Sequence, residues 1–170
     1  MRRKLASGLL IASAVAWGIW CGGQVFNELM TIPKWSASPP ASMKTYWEMP
    51  SEGGANFFVL FNPLFVVLAI AAAVTAWKYA RRSRLWLALS ALIALAVFFS
   101  LILYLAPLVG SMFRHSVAGD LPASEIVAGV ERWKLGNRIR IVVELFGFVC
   151  AVIALRVWAA EAYAPDKRAD

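Results

Sequence analysis

The stretch "ERWKLGNRIRIVVELFGFVC", residues 131–150, decides how this chain is read. It passes without a break from a charged segment into an apolar run that continues to residue 160. A helix needs about 20 apolar residues to cross a hydrocarbon core. Residues 137–160 meet that length, so Arg138, Arg140 and Glu144 stand at the mouth of a membrane-spanning helix. An ionised side chain in lipid costs ~3 kcal/mol or more, so such residues face a bundle interior, find partners or mark a site.

Three more blocks have the same character: residues 5–30, 57–80 and 85–109. The composition agrees, with 61% of 170 residues hydrophobic, 16% charged and a mean hydropathy of +0.65. Soluble domains are less apolar and more charged. The expected fold is all-α: one four-transmembrane-helix bundle over residues 1–170 with two outer loops. The N-terminal "MRRKLASGLLIASAVAWGIW" has the basic start of a secretory signal. Its apolar block runs on past Trp17 and Trp20 without a small-residue cleavage site, so it reads as an uncleaved first helix.

Charge gives an orientation. With the N-terminus inside, the inner segments hold ten basic residues and three acids, and the outer segments hold seven of each. The whole surplus of +7 falls on one side, as cytoplasmic loops require. The loop "KYARRSR" between spans two and three is the strongest vote. The expectation is a multi-pass protein of the plasma membrane with both termini cytoplasmic. The basic balance reports topology and implies no nucleic-acid partner.

The two cysteines, Cys21 and Cys150, lie within spans and form no C-x-x-C pair, which speaks against thiol oxidoreductase chemistry. One histidine, His115, cannot supply a bis-histidine haem, and no carboxylate–histidine cluster has metal spacing. No cofactor or metal is therefore expected. Ala14, Gly18 and Gly22 form a small-residue stripe on helix one, read first as packing within the chain. The oligomeric state stays open.

The first outer loop, "TIPKWSASPPASMKTYWEMPSEGGAN", carries prolines 33, 39, 40 and 50, which argue against a long helix there. Its Trp35, Tyr46 and Trp47 suit either a membrane interface or a lid over the bundle. Asn62-Pro63 reads in two ways: an N-cap followed by Pro at the first helical position, or a kink within a helix that begins near Phe57. Tyr104 and Pro107 mark the outer end of helix three. In the second outer loop, Ser124 to Trp133 has apolar residues at Ile126, Val127 and Val130, which predicts a short amphipathic helix on the outer face.

Trp133, Asn137, Arg140 and Glu144 follow i, i+4, i+7 and i+11, one face of one helix. Gly147 and Ala151 continue the stripe with small residues. Helix one repeats the pattern with Trp17, Cys21, Gln24 and Glu28. Asn27, Asn56, Asn62 and Tyr104 lie at a similar depth. Arg140 can pair with Glu144 one turn away, and Glu28 can pair with Arg138 or Arg140 across the bundle. Two readings follow. One is a buried polar clamp that fixes helix register. The other is an outward-facing pocket with a cationic floor, walled by tryptophans, with Glu144, Glu28, Gln24, Asn27, Tyr104 and Asn62 as ligand-binding residues. Arg138, nearly opposite on the wheel, reads as a residue that snorkels to headgroups.

"RWKLGNRIRIVVELFGFVCAVIAL" resembles the last helix of the anthrone-oxygenase-like family of small four-helix membrane proteins. The family pattern Arg-Trp-x-x-x-Asn-x-x-Arg falls on Arg132, Trp133, Asn137 and Arg140. "GQVFNELMTIP" is similar to the family's exit from its first helix. The Pro-x-Asn element that often follows the family's third helix is absent from "APLVGSMFRHS". The resemblance implies oxidation of a phenolic or polyketide-type substrate by dioxygen, without an established metal cofactor. It also implies catalytic roles for Arg140, Asn137 and Trp133: an arginine that stabilises a phenolate or enolate, an asparagine that orients the substrate oxygen and a tryptophan that stacks on its ring. The implied partners are the lipid bilayer and a lipophilic aromatic small molecule. A non-catalytic structural or assembly subunit is the competing class. Transport ranks last, because the inner halves of helices two and three offer only Ser90, Ser100 and Thr75.

The charge division generates a labelling test. A cysteine introduced at position 45 should react with an impermeant maleimide on intact cells. A cysteine in the "KYARRSR" loop should react only after permeabilisation. The opposite pattern would invert the orientation.

Overall fold

The computed structural model describes residues 2–49 and 54–163, and every regular element in them is helical. Helix α1 (Arg2–Phe26) runs through a π-helical turn (Asn27–Thr31) into α2 (Ile32–Ser36). After α3 (Ala41–Glu48) comes α4 (Gly54–Ala76). Helix α5 (Arg84–Ser100) passes through a second π-helical turn (Leu101–Leu105) into α6 (Ala106–Ala118), and α7 (Ala123–Tyr163) closes the chain. Four helical stretches are long and apolar enough to cross a membrane: Arg3–Ser36, Phe57–Ala76, Arg84–Ala118 and Ala123–Glu161. The chain is a four-span helical membrane protein.

The spans form a ring in which α1 packs on α4, α4 on α5, α5 on α7 and α7 on α1. Each runs antiparallel to both neighbours, the up-down-up-down arrangement. One end of the bundle, the basic end, carries the start of α1, the turn between α4 and α5 and the end of α7. The other end is capped by α2, α3, α6 and the first half of α7.

That cap differs from the expected loops. At 1.5 Å per residue, the 41 residues of α7 extend for about 60 Å, roughly twice a hydrocarbon core. The short amphipathic helix expected over 124–133 is the beginning of α7. Its Ile126 and Val130 are buried, while Val127 is exposed. Pro33 and Pro107 were expected to end helices and do not. Each follows a π-helical turn, in which the Ile32 N–H bonds to the Asn27 carbonyl and the Ala106 N–H to the Leu101 carbonyl. Proline lacks an N–H and its ring crowds the carbonyl four residues back. Widening one turn relieves that conflict and lets the helix continue.

Pro63 lies inside α4, so the helix starts before it and Asn62 is no N-cap. Pro50 and the side chain of Asn56 lie outside the described residues. The turn after α4 is closed by Arg84, whose Nε donates to the Trp77 carbonyl at 2.8 Å while its guanidinium lies 5.7 Å from the Trp77 ring. A cation at a helix C-terminus meets the exposed carbonyls and the negative end of the dipole.

The core has three layers. At the basic end Trp158 and Leu10 pack among Ala6, Ala72, Ala76 and Ala154. In the middle Trp17, Trp20 and Phe65 pack among Ala16, Ala69, Ala94 and Ala151. The cap has its own core of Ile32, Trp35, Met43, Leu105, Ile126, Val130 and Trp133. Lipid gives helices no hydrophobic reason to associate, so close contact at small residues and hydrogen bonds must hold them. In the two bundle layers Trp17, Trp20 and Trp158 pack among small residues, and each indole N–H finds an acceptor. Trp17 donates to Ser90 Oγ at 3.0 Å, across the diagonal of the ring, and Trp158 to Ser7 Oγ at 2.9 Å. Cys21 and Cys150 are buried free thiols.

The Ala14–Gly18–Gly22 stripe is not the tightest seam. A Cβ on Gly22 would meet nothing within 4 Å, and one on Gly18 would make ordinary contact with Phe148. On Gly147 it would fall 2.6 Å from Trp17 Cη2 and 2.8 Å from Ile93 Cγ2. Trp17 is fully buried and tied to Ser90, so it has no room to yield. Gly147→Ala should therefore destabilise the protein by about 1–3 kcal/mol, the range for overpacking. Gly22→Ala should leave stability unchanged or slightly raised. Thermal unfolding in detergent reads both, and equal midpoints would contradict the close approach at Gly147.

Candidate functional site

Helices α1 and α7 meet in a constant antiparallel register. One turn up α1 matches one turn back along α7, pairing Trp20 with Glu144, Gln24 with Arg140 and Glu28 with Asn137. The same register carries down to Ser7 and Trp158. The stripe from Trp133 through Asn137, Arg140, Glu144 and Gly147 to Ala151 is buried along its whole length. So are Trp17, Cys21 and Gln24 on α1.

Glu144 is wholly buried, and its Oε1 accepts the Trp20 N–H at 3.1 Å. Arg140 Nε lies 3.6 Å from the same oxygen, an ion-pair distance too long for a hydrogen bond. Arg140 Nη2 donates to Gln24 Oε1 and to Asn137 Oδ1, both at 2.8 Å. Asn137 passes the chain on, donating through Nδ2 to Glu28 Oε2 at 2.8 Å. Glu28 Oε1 accepts from Arg138 Nε at 2.8 Å. Two carboxylates and two guanidiniums thus form a neutral cluster that begins at the exposed Arg138 and ends at the enclosed Glu144.

The cluster is incompletely paired. Arg140 Nε, Arg140 Nη1 and Glu144 Oε2 are buried without a hydrogen-bond partner among the described residues. A buried polar atom left unpaired costs ~1–3 kcal/mol, and more when charged. Arg140 also borders a cavity of about 230 Å³ between α5 and α7. One wall is Ala96, Val97, Ser100, Tyr104 and Leu105, and the other is Gly136, Ile139, Arg140 and Val143. Among the described residues that line it, Arg140 is the only charged one. Tyr104, Ile139 and Val143 on its rim are exposed, so the cavity opens sideways from the bundle. At this depth the surroundings are lipid, because both faces carry an exposed apolar belt from Leu92 to Leu103 and from Ile139 to Val152.

Tryptophans do not wall this cavity. Trp133 sits above it in the cap, donating to the Leu105 carbonyl at 2.9 Å and meeting Trp35 edge-on at 5.2 Å. Trp20 stacks on Phe65 beneath the cluster. Of the other residues singled out from sequence, Tyr104 lines the cavity. Asn27 is half-buried in the π-helical turn. Asn62 is buried on α4, its Oδ1 has no partner among the described residues, and no hydrogen bond joins it to the cluster there. Sequence reasoning missed Trp20, one turn before Gln24 on the same face, as the donor to Glu144. It also missed Ser100 and Gly136 as groove residues: Ser100 stands in an apolar run, and Gly136 has no side chain to draw attention beside Asn137.

The arrangement suits one task chemically. An arginine that lines an apolar groove can donate to a carbonyl, phenolate or carboxylate whose hydrophobic body lies between α5 and α7. Compared with known proteins, the chain matches no family model, no curated protein and no solved structure.

Truncating Arg140 should be costly. Arg140→Ala strands Glu144 in the core, and breaking a buried pair this way costs ~3–5 kcal/mol. Replacing both, as in Arg140→Met with Glu144→Leu, should recover much of the loss, short of full recovery because Gln24 and Asn137 lose their shared donor. Unfolding midpoints in detergent measure this. A single variant as stable as the double would show that the pair is not coupled.

Proposed function

We propose that the protein binds a lipophilic small molecule that enters from the bilayer between α5 and α7 and presents an oxygen acceptor to Arg140. One observation carries this reading: Arg140 lines the groove, and its Nη1 is buried without a hydrogen-bond partner among the described residues. The apolar walls suit a flat or elongated hydrocarbon body. Tyr104 at the rim adds an aromatic face and a hydroxyl.

The catalytic form of this reading is an anthrone-oxygenase-like oxidation of a phenolic or polyketide-type substrate, which rests on the sequence resemblance through Trp133, Asn137 and Arg140. In it the guanidinium holds the electron-rich phenolate or enolate oxygen, and Asn137 fixes the guanidinium through its Oδ1. A second reading, the structural or assembly subunit, has support in the neutrality of the cluster, which matches two acids with two arginines without any ligand. In the proposed orientation the basic end faces the cytoplasm of a plasma-membrane protein and the cap lies outside.

Ligand-dependent thermal stabilisation separates the readings. A quinone, phenol or anthrone that binds should stabilise the fold by ~2.7 kcal/mol at a hundredfold excess over Kd and raise the unfolding midpoint accordingly. Ala96→Phe places a ring in the groove from an exposed position and should abolish that shift without changing the unliganded midpoint. Arg140→Lys keeps the charge, loses the planar fork and should weaken the shift. The absence of any shift across the panel, or a shift that survives Ala96→Phe, would favour the structural subunit.

A further inference from the structure

The basic end holds a second polar site that the groove at Arg140 does not use. A cavity of about 520 Å³ is lined there by Arg82, Val157, Ala160 and Glu161. Glu161 Oε1 accepts the Arg82 backbone N–H at 3.0 Å, which fastens the turn after α4 to the end of α7. Glu161 Oε2 is buried and has no partner among the described residues. The Arg82 side chain is exposed beside it, and Arg156 is exposed one helical turn before Ala160 on the same face of α7. Their neighbours Arg3 and Arg84 are already engaged, with Trp158 and the Glu161 carbonyl and with Trp77. Exposed Trp77 and Tyr79 set the level of this end at the bilayer interface, where such side chains concentrate.

The site therefore asks two things of one ligand: an anionic group for Arg82 and Arg156, and a hydrogen-bond donor for Glu161 Oε2. We propose that it takes the headgroup of a glycerophospholipid that carries a donor besides its phosphate, such as the ammonium of phosphatidylethanolamine or the glycerol hydroxyls of phosphatidylglycerol. The phosphate lies between Arg82 and Arg156, the donor reaches Glu161 Oε2, and the acyl chains run along the apolar flank of α7 from Val157. A choline headgroup satisfies the arginines but has no N–H or O–H for the carboxylate.

The test is native mass spectrometry of the full-length protein released from detergent with one defined lipid at a time. Phosphatidylethanolamine and phosphatidylglycerol should be retained several-fold above phosphatidylcholine, and Glu161→Gln, which puts an amide NH₂ where Oε2 was, should erase the preference for ethanolamine over choline. Those two lipids have the same net charge, so their difference isolates the donor. Arg82→Gln and Arg156→Gln change exposed side chains only, and each should lower retention of phosphatidylglycerol about fivefold, the factor that corresponds to ~1 kcal/mol per basic residue at a lipid surface. Equal retention of ethanolamine and choline lipids would overturn the proposal, as would retention indifferent to both arginines.

Discussion

Arg140 reaches Gln24 on α1 and Asn137 and Glu144 on its own helix, inside a bundle whose core contacts are otherwise mostly apolar. Apolar contacts of that kind are forgiving. A small slide of one helix along another loses some packing but strands nothing. Polar atoms in a medium of low dielectric are not forgiving, because each lost partner leaves a desolvated group behind. The pairing of Trp20 with Glu144, Gln24 with Arg140 and Glu28 with Asn137 therefore fixes one register between α1 and α7. The Gly147–Trp17 contact one turn deeper depends on that same register.

The cluster also joins the membrane part to the cap. The π-helical turn over Leu101–Leu105 carries Tyr104 and Leu105 in the groove wall. The carbonyl of Leu105 accepts the indole N–H of Trp133 in the cap. Trp133 in turn packs on Trp35 at the end of the first helical stretch. Both proline-linked π-helical turns thus lie at the level where the bundle gives way to the cap. Unlike them, α7 passes that level as continuous α-helix and links the two parts.

The sequence was most legible where chemistry is unforgiving. Four apolar runs of span length have few alternatives in the presence of so few charges. The buried stripe on α7 could be read because Asn137, Arg140 and Glu144 sit at helical spacing among residues that shun charge. Glu28 could be given a cross-bundle partner on the same ground, although the sequence left Arg138 and Arg140 as alternatives. In the structure Arg138 binds Glu28 directly and Arg140 reaches it through Asn137. The cap was much less legible. Pro33 and Pro107 look like helix ends in sequence, because the local rule weighs the missing N–H and cannot see that one widened turn removes the conflict. The helix expected over 124–133 could not be joined to the span, since Lys134 and Gly136 resemble a boundary when the cap core that shelters this region is unseen. The groove was missed for a simpler reason: its walls are ordinary Ala, Val, Ser and Ile.

The two ends of the molecule present different chemistry to the bilayer. One offers a buried arginine that lines an apolar groove, and the other offers exposed arginines around a buried carboxylate oxygen. The central claim is that Arg140 is a fixed, enclosed donor with capacity to spare. Solution or solid-state NMR of protein labelled with ¹⁵N-arginine tests it most directly. A guanidinium held by Gln24 and Asn137 should give separate, slowly exchanging Nη–H signals that vanish in Arg140→Lys. Arg140 signals averaged by rotation and rapidly exchanged with solvent, like those of an exposed arginine, would contradict the account.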